Sequence, residues 1–183
     1  MTSSKITQNS SFDLSWLASY RRITVIGLGM SGIGVIRKFA EHNIHVHVQD
    51  SRENPTGLVD IEGLENVQTV VLGSFDKHGI MASDLLVVSP GVSLKTPEIQ
   101  AAIEAGIEIT GDIDIVSKST NIPLLTITGS NGKSTVTQLA GEICLAAGYE
   151  TFIGGNIGRS AMELLSKEES FDIAVLELSL IHI

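Results

Sequence analysis

The sequence is poor in several residue types, and each shortage excludes a class of protein. Its 183 residues contain a single cysteine, Cys144, so no internal disulfide can form and an oxidising compartment is not indicated. Aromatic residues make up only 4% of the chain although 43% is hydrophobic, which favours an aliphatic core of the kind found in parallel sheets. No run reaches the ~18 apolar residues of a membrane helix, and the first residues contain no apolar signal-peptide segment. We therefore expect a cytoplasmic protein that does not enter a membrane.

Basic residues are also scarce. There are 12 lysines and arginines against 21 acidic residues, which gives a net charge of −9. Nucleic acids and anionic membranes need a basic surface, so we expect neither as a partner. Small anionic ligands stay possible, because a few backbone N–H groups can bind them locally. The sequence does not decide the oligomeric state, for which we expect a monomer.

A glycine-bracketed polar loop at residues 128–132 separates an apolar run from a helical pattern. Gly129 and Gly132 allow a tight turn with N–H groups facing inward, Lys133 adds a positive charge, and Ser134 offers a hydroxyl suited to Mg²⁺. The stretch therefore predicts a strand, a phosphate loop and a helix that bind ATP. An ordinary strand-to-helix turn is the alternative.

This loop differs from the full Walker A pattern, which has a glycine where this chain has Ile127. It is a shortened form, Gly-x-x-Gly-Lys-Ser, and indicates a particular kind of ATPase. The predicted ATP-binding residues are Gly129, Ser130, Asn131, Gly132, Lys133, Ser134 and Thr135.

A second glycine-rich turn lies near the start of the chain. Gly27, Gly29 and Gly32 follow an apolar strand, and Asp50 ends the next predicted strand about twenty residues later. This spacing is that of a dinucleotide-binding turn. It suits NAD, but the same glycines admit any nucleotide diphosphate to the N-terminus of a helix, and a purely structural turn also stays open.

Two polar residues are predicted near the phosphate loop. Glu177 ends an apolar strand, where its carboxylate can share Mg²⁺ with Ser134, because parallel strands present their carboxyl ends to one crevice. A solvated strand-end glutamate is the alternative. Asn156 lies in a glycine-rich loop at the same sheet edge, where it could bind a phosphate or serve only the turn. His45 and His47 share a strand face but have no third ligand at suitable spacing, so a metal site there is disfavoured.

The alternation of strands and helices predicts an α/β protein of two parts. We expect a Rossmann-like N-terminal domain over residues 1–111, followed at 112–183 by the first part of a P-loop-type, parallel-sheet ATP-binding domain. In the second part we predict strands at 124–127, 150–153 and 171–178, a helix at 133–147, and a second helix that follows the loop at 154–158 and ends at about 167. These strands would leave a sheet edge uncovered, so we expect the second domain to be truncated.

Five ordered motifs together resemble the Mur ligase family. They are Ile26-Gly-Leu-Gly-Met-Ser-Gly32, Val88-Ser-Pro-Gly91, Thr126-Ile-Thr-Gly-Ser-Asn-Gly-Lys-Ser-Thr135, Gly154-Gly-Asn-Ile-Gly158 and Val175-Leu-Glu-Leu-Ser179. The resemblance spans about residues 20–179.

The resemblance implies that the first domain binds the UDP group of a sugar nucleotide instead of NAD. The substrate-binding residues that it implies are Met30, Ser31, Asp50, Ser51, Arg52, Gly91, Asn156 and Ser179. It assigns ATP phosphates and Mg²⁺ to Lys133 and Ser134, and a second Mg²⁺ to Glu177. Lys133, Asn156 and Glu177 are the implied catalytic residues.

The reaction that the resemblance implies is ATP-dependent ligation of D-glutamate to UDP-N-acetylmuramoyl-L-alanine through an acyl phosphate, in peptidoglycan precursor synthesis. After Ser179 the chain reads Leu180-Ile-His-Ile183, where the family pattern continues with a serine, an aromatic residue and a glutamine. We therefore expect the N-terminal part of such a ligase, inactive by itself. The alternative is a non-catalytic module that binds UDP or NAD.

Overall fold

The computed structural model describes residues 12–179, in which two parallel sheets are flanked by helices. The strands are β1 (Ile23–Ile26), β2 (Val46–Asp50), β3 (Val67–Leu72), β4 (Leu85–Val88), β5 (Glu108–Thr110), β6 (Leu124–Ile127), β7 (Thr151–Gly155) and β8 (Ile173–Glu177). The α-helices are α1 (Met30–Glu41), α2 (Lys77–Met81), α3 (Pro97–Glu104), α4 (Asp112–Ser119) and α5 (Lys133–Ala146). Short 3₁₀ turns occupy Ser15–Ser19, Thr56–Leu58 and Ala161–Leu164.

The first sheet has five parallel strands in the order β3-β2-β1-β4-β5. Its central strands β1 and β4 are buried along their whole length, which explains their unbroken apolar sequences. Side chains of α1 and α4 form a core on one face, while Ile80, Ile99 and Ala102 of α2 and α3 form a smaller core on the other. This double cover is typical of a Rossmann-like domain, as the sequence predicts.

The second sheet has the order β6-β8-β7, and its strands are also parallel. Helix α5 packs against β7 and β8, and the 3₁₀ turn Ala161–Leu164 contacts α1 and α4, which cover the first sheet. Each sheet and the helical segments that cover it form one unit. Phe152 and Leu176 therefore join the same hydrophobic cluster as α1 and α4. The two sheets share one core, whereas the boundary between domains at residues 111 and 112 stays a prediction.

Two stretches near the glycine-rich motifs show where helical structure begins and ends. Helix α1 begins at Met30, so Gly32 of the first glycine turn lies inside the helix. The helix predicted to follow the loop at 154–158 and to end at about 167 is wrong, because only the single 3₁₀ turn Ala161–Leu164 forms there. Ser160 and Glu163 cap this turn reciprocally, and Leu165, with ψ 52°, leaves the helical conformation.

Helix α5 keeps part of its apolar surface exposed. Val136, Leu139 and Ile143 are 52%, 56% and 60% exposed, whereas Thr137 and Gly141 face the sheet. Within residues 12–179 no helix combines the length and apolar character needed to cross a membrane.

Candidate nucleotide-binding site

The first glycine turn brings the N-terminus of α1 close to the end of β4. Gly27 has φ +98°, and a Cβ there would lie 2.9 Å from the Val92 side chain. A Cβ on Gly32 would lie 2.0 Å from the Gly27 carbonyl oxygen, so α1 can approach the turn only if residue 32 is glycine. The Ser89 hydroxyl donates a hydrogen bond to that carbonyl at 2.8 Å. Sequence reasoning missed Ser89, although its place in the Ser-Pro-Gly motif at the end of β4 was a usable signal.

Asp50 ends β2 beside this turn, and its carboxylate is almost fully satisfied by the chain itself. One oxygen accepts the Leu28 N–H at 2.7 Å and Arg52 Nη2 at 2.6 Å, and the other accepts the Arg52 N–H and Nε, both at 2.9 Å. Burial acts to raise the pKa of Asp50, but hydrogen bonds from the Arg52 side chain and from the Leu28 and Arg52 backbones outweigh it and lower the pKa to about 2. Asp50 is therefore a buried, ionised anchor that orients Arg52.

A cavity of about 350 Å³ opens beside Asp50 and the first glycine turn. Its lining residues are Gly27, Gly29, Met30, Ser31, Asp50, Ser51, Arg52, Ser89, Pro90, Gly91, Val92 and Asn156. The structure therefore brings seven of the eight predicted substrate-binding residues to one cavity. The eighth, Ser179, follows β8 and is not among the lining residues.

The loop that is predicted to bind phosphate lies between β6 and α5. Gly129 has φ +151° and Gly132 has φ +75°, and Gly132 is the N-cap of α5, which begins at Lys133. The Lys133 ammonium folds back over the loop and donates to the Gly129 carbonyl at 2.9 Å. Loop N–H groups, the helix N-terminus and a lysine are thus placed together, as phosphate binding requires.

Glu177 connects the phosphate loop to the loop after β7. The Ser134 hydroxyl donates to Glu177 Oε2 at 2.7 Å, and Asn156 Nδ2 donates to Oε1 at 3.2 Å. The Asn156 N–H also donates to the Glu177 carbonyl oxygen at 2.9 Å. Glu177 is only 2% exposed, so the alternative of a solvated strand-end glutamate is wrong.

Strand register explains why these three residues meet. Glu177 of β8 pairs with Ile127 of β6 on one side and with Gly155 of β7 on the other. Gly155 has φ +101°, and a Cβ there would lie 2.5 Å from the Glu177 carbonyl oxygen. Glycine at this position lets β7 approach β8 and directs the next residue, Asn156, across the end of the sheet.

A hydroxyl and a buried carboxylate suit Mg²⁺, which takes oxygen ligands and is commonly held by one or two carboxylates together with substrate phosphates. No group of three or more His, Cys, Asp or Glu side chains with metal-binding geometry occurs in residues 12–179. Ser134 and Glu177 therefore fit an ion shared with a nucleotide better than an ion caged by protein alone. His45 and His47 instead face Gln68 and Thr69, at 3.1 and 2.8 Å.

The family model for the Mur ligase MurD-like N-terminal domain matches residues 21–111. The chain belongs to the Mur ligase family. Its resemblance to that family, carried in the sequence by five motifs, is confirmed. The matched residues include the first glycine turn and Asp50.

The chain is similar to curated Mur ligases but is much shorter than they are. It is 46% identical over 157 residues to a UDP-N-acetylmuramoylalanine–D-glutamate ligase from Haemophilus ducreyi, which covers 86% of this chain and 35% of that protein. The ligase of the same name from Pseudoalteromonas translucida is 41% identical over 162 residues, covering 87% and 36%. The chain thus spans about a third of the length of the curated relatives it matches.

A solved Mur ligase structure shares the fold. The UDP-N-acetylmuramate:L-alanyl-gamma-D-glutamyl-meso-diaminopimelate ligase of Neisseria meningitides superposes with a TM-score of 0.51 at 20% identity, over 85% of this chain and 52% of that one. The Rossmann-like α/β architecture predicted from the sequence is confirmed.

Proposed function

We propose that this chain supplies the nucleotide-binding part of a cytoplasmic Mur ligase that joins D-glutamate to UDP-N-acetylmuramoyl-L-alanine, with ATP and Mg²⁺, in peptidoglycan precursor synthesis. The observation that carries the proposal is the position of Asn156. This residue lines the cavity of the first glycine turn and donates to Glu177, which in turn accepts from Ser134 of the phosphate loop. One side chain thus joins a nucleotide cavity to a phosphoryl site, as a ligase that phosphorylates a nucleotide-linked carboxylate requires.

The hydrogen bonds of Asp50 favour UDP over NAD in the cavity. A dinucleotide site uses this acid to accept hydrogen bonds from ribose hydroxyls. A carboxylate has about four acceptor positions, and Asp50 already receives four hydrogen bonds from Leu28 and Arg52. The groups left to contact a ligand are the half-exposed Arg52 guanidinium and the adjoining backbone, which suit the carbonyl oxygens of a pyrimidine.

The phosphate loop would hold the phosphoryl donor. In this proposal the loop N–H groups and Lys133 bind the β- and γ-phosphates of ATP, and they neutralise charge as the γ-phosphoryl group moves to the substrate carboxylate. This transfer releases ADP and leaves an acyl phosphate. The amine of D-glutamate then attacks the acyl carbon, forms the amide and loses a proton, and inorganic phosphate leaves. Ser134 and Glu177 would hold Mg²⁺, which supplies further charge neutralisation when bound.

Calorimetric titration of the 183-residue chain tests the first half of the proposal. We expect binding of UDP-N-acetylmuramoyl-L-alanine and of UDP, with NADH at least about tenfold weaker because Asp50 is already saturated. Preferential binding of NADH would contradict the proposal and favour a non-catalytic dinucleotide module.

Phosphate release tests the second half. The chain spans about a third of its relatives, so we expect the 183 residues alone to bind ATP without ligating. Release of phosphate that depends on both UDP-N-acetylmuramoyl-L-alanine and D-glutamate would contradict this expectation.

A further inference from the structure

Arg159 follows the loop that carries Asn156, and its main chain closes that loop. The Gly155 N–H donates to the Arg159 carbonyl oxygen at 2.9 Å, and Gly154 forms a parallel bridge with Arg159. A Cβ on Gly154 would lie 2.5 Å from the same oxygen, so the two backbones are too close for a side chain at residue 154. The conformation of residues 155–158 therefore depends on where Arg159 is held.

The side chain of Arg159 is held by four groups. Its guanidinium makes two parallel hydrogen bonds with Glu169, both at 3.0 Å, and Nε donates to Glu163 at 2.8 Å. The guanidinium carbon also lies 4.9 Å from the centre of the Phe152 ring and 5.8 Å from that of Phe171. A single exposed ion pair would fix little, but a bidentate pair combined with cation–π contacts to two aromatic rings restrains the position of an arginine.

These anchors belong to different elements of the second unit. Phe152 lies in β7, Phe171 precedes β8, and Glu163 caps the 3₁₀ turn that packs on α1. Arg159 thus joins three elements at the base of the loop that presents Asn156 to the cavity and to Glu177.

We propose that Arg159 is a positioning residue for nucleotide-sugar binding: it fixes the loop after β7 so that Asn156 faces the cavity and Glu177 together. The inference rests on the proposed function. It implies that Arg159 acts only on the part of the ligand that reaches Asn156, and not on the uridine group beside Asp50 and Arg52.

Titration with two ligands tests this role. Arg159→Met should weaken binding of UDP-N-acetylmuramoyl-L-alanine about fivefold and leave binding of UMP within about twofold. In an Asn156→Ala background, the same substitution should change the affinity for the larger ligand less than about twofold, because the residue through which Arg159 acts is gone. Arg159→Lys, which keeps the charge but not the bidentate geometry, should recover part of the loss.

Two further variants make the test specific. Lys118→Met is a matched control, because Lys118 also pairs with a glutamate, Glu108, and lies 4.9 Å from a ring centre, that of Trp16, outside the cavity lining. It should affect neither ligand. Glu169→Gln is a milder variant that keeps the arginine, and it should weaken only the larger ligand, about twofold.

Equal losses for both ligands, or an undiminished loss in the Asn156→Ala background, would show that Arg159 only stabilises the fold and would overturn the inference. Unchanged affinity in both Arg159→Met and Glu169→Gln would overturn it as well. Failure of the unaltered chain to bind either ligand would instead contradict the proposed function itself, so the two failures are distinguishable.

Discussion

At the scale of single residues, Asp50 is an ionised carboxylate whose hydrogen bonds are made within the protein. Its oxygens are saturated by Leu28 and Arg52, and its pKa is lowered to about 2. In the proposed function, a ligand would therefore contact the guanidinium of Arg52, which Asp50 orients, more than Asp50 itself.

Replacing Asp50 by Asn should make the stability of the protein less dependent on pH. A lowered pKa in the folded state means that ionised Asp50 stabilises the fold above about pH 4, and that this contribution is lost as pH falls toward 2. With allowance for solvent screening at the half-exposed Arg52, Asp50→Asn should lower the free energy of unfolding by about 1–2 kcal/mol at pH 7. Urea unfolding at several pH values measures the difference, which should shrink below pH 4.

Asp60→Asn is the control for this prediction. Asp60 also pairs with an arginine, Arg37, but both side chains are substantially exposed, at 40% and 55%. Its removal should cost less than about 0.5 kcal/mol. A loss at Asp50 that stayed the same down to pH 2 would mean that shape, not charge, accounts for the effect.

Glu177→Gln should remove the charge of this residue and keep its hydrogen bond to Ser134. The amide oxygen can still accept from the Ser134 hydroxyl, and Asn156 can turn its own amide so that its oxygen accepts from the new NH₂ group. The fold should therefore persist, while the negative charge proposed to hold Mg²⁺ is lost. We expect the affinity for ATP to fall at least about tenfold with Mg²⁺ present and to change little with Mg²⁺ removed. Calorimetry with and without EDTA makes the comparison.

Glu142→Gln provides the matched control for Glu177. Glu142 is an exposed glutamate of α5 that accepts a hydrogen bond from Gln138, and its replacement should alter neither titration. A similar loss of ATP affinity in both conditions for Glu177→Gln would contradict the assigned magnesium role.

At the scale of elements, the second sheet depends on a glycine. Gly155→Ala adds both the strain of a residue at φ +101° and a methyl group 2.5 Å from the Glu177 carbonyl oxygen. We expect β7 and β8 to separate locally, at a cost of about 2–4 kcal/mol in urea unfolding.

Gly63→Ala isolates the first of these two effects. Gly63 has φ +78°, but a Cβ there meets nothing within 4 Å. Its replacement should cost only the strain, about 1 kcal/mol. If the two alanine variants were equally stable, close approach of the strands would not be what requires Gly155.

Patterns among neighbouring residues predict most helices and strands, and tertiary contacts explain the helix that is predicted wrongly. The position of the loop at 128–132 and the bounds of α5 are predicted nearly to the residue, because the glycines and the apolar run are contiguous in sequence. The helix predicted to about Lys167 is wrong because the apolar residues Met162, Leu164 and Leu165 pack into the core shared with α1 from a short 3₁₀ turn. Their spacing does not require a long helix.

The candidate site was predictable by residue type but not by contact. Motif spacing indicated Asp50, Asn156 and Glu177. The pairing of Asn156 with Glu177 follows from the register of β7 and β8, and the capture of Asp50 by Arg52 follows from the shape of a turn. Neither is encoded in local periodicity, so sequence reasoning placed a solvated glutamate among the alternatives.

At the scale of the whole molecule, the two sheets meet where α1 contacts the 3₁₀ turn. A Cβ on Gly34 of α1 would lie 2.3 Å from the Ser160 hydroxyl oxygen and 3.1 Å from its Cβ. Glycine is otherwise unfavourable inside a helix, by about 1 kcal/mol relative to alanine. Close packing between the two units therefore takes precedence over helix propensity here.

The competition at Gly34 between helix propensity and close packing predicts that Gly34→Ala has opposite effects on stability in two backgrounds. Gly34→Ala should destabilise the protein by about 1 kcal/mol in the natural sequence, because the clash exceeds the gain in propensity. In a Ser160→Gly background, where the obstructing atoms are absent, the same substitution should be stabilising. Urea unfolding of the four proteins in this cycle measures the coupling, and additive effects would contradict a direct contact between the units.

The order of strands in the second sheet also determines when that sheet can form during synthesis. Strands β6 and β7 do not pair with each other, because β8 lies between them, yet β8 is the last of the three to leave the ribosome. The first sheet has all five of its strands once residue 110 has emerged, and domains generally fold from the N-terminus as they are made. Most of the cavity beside Asp50 can therefore be assembled on the nascent chain before β6, which leads into the loop at 128–132, has a strand to pair with. That partner is β8, which ends at Glu177.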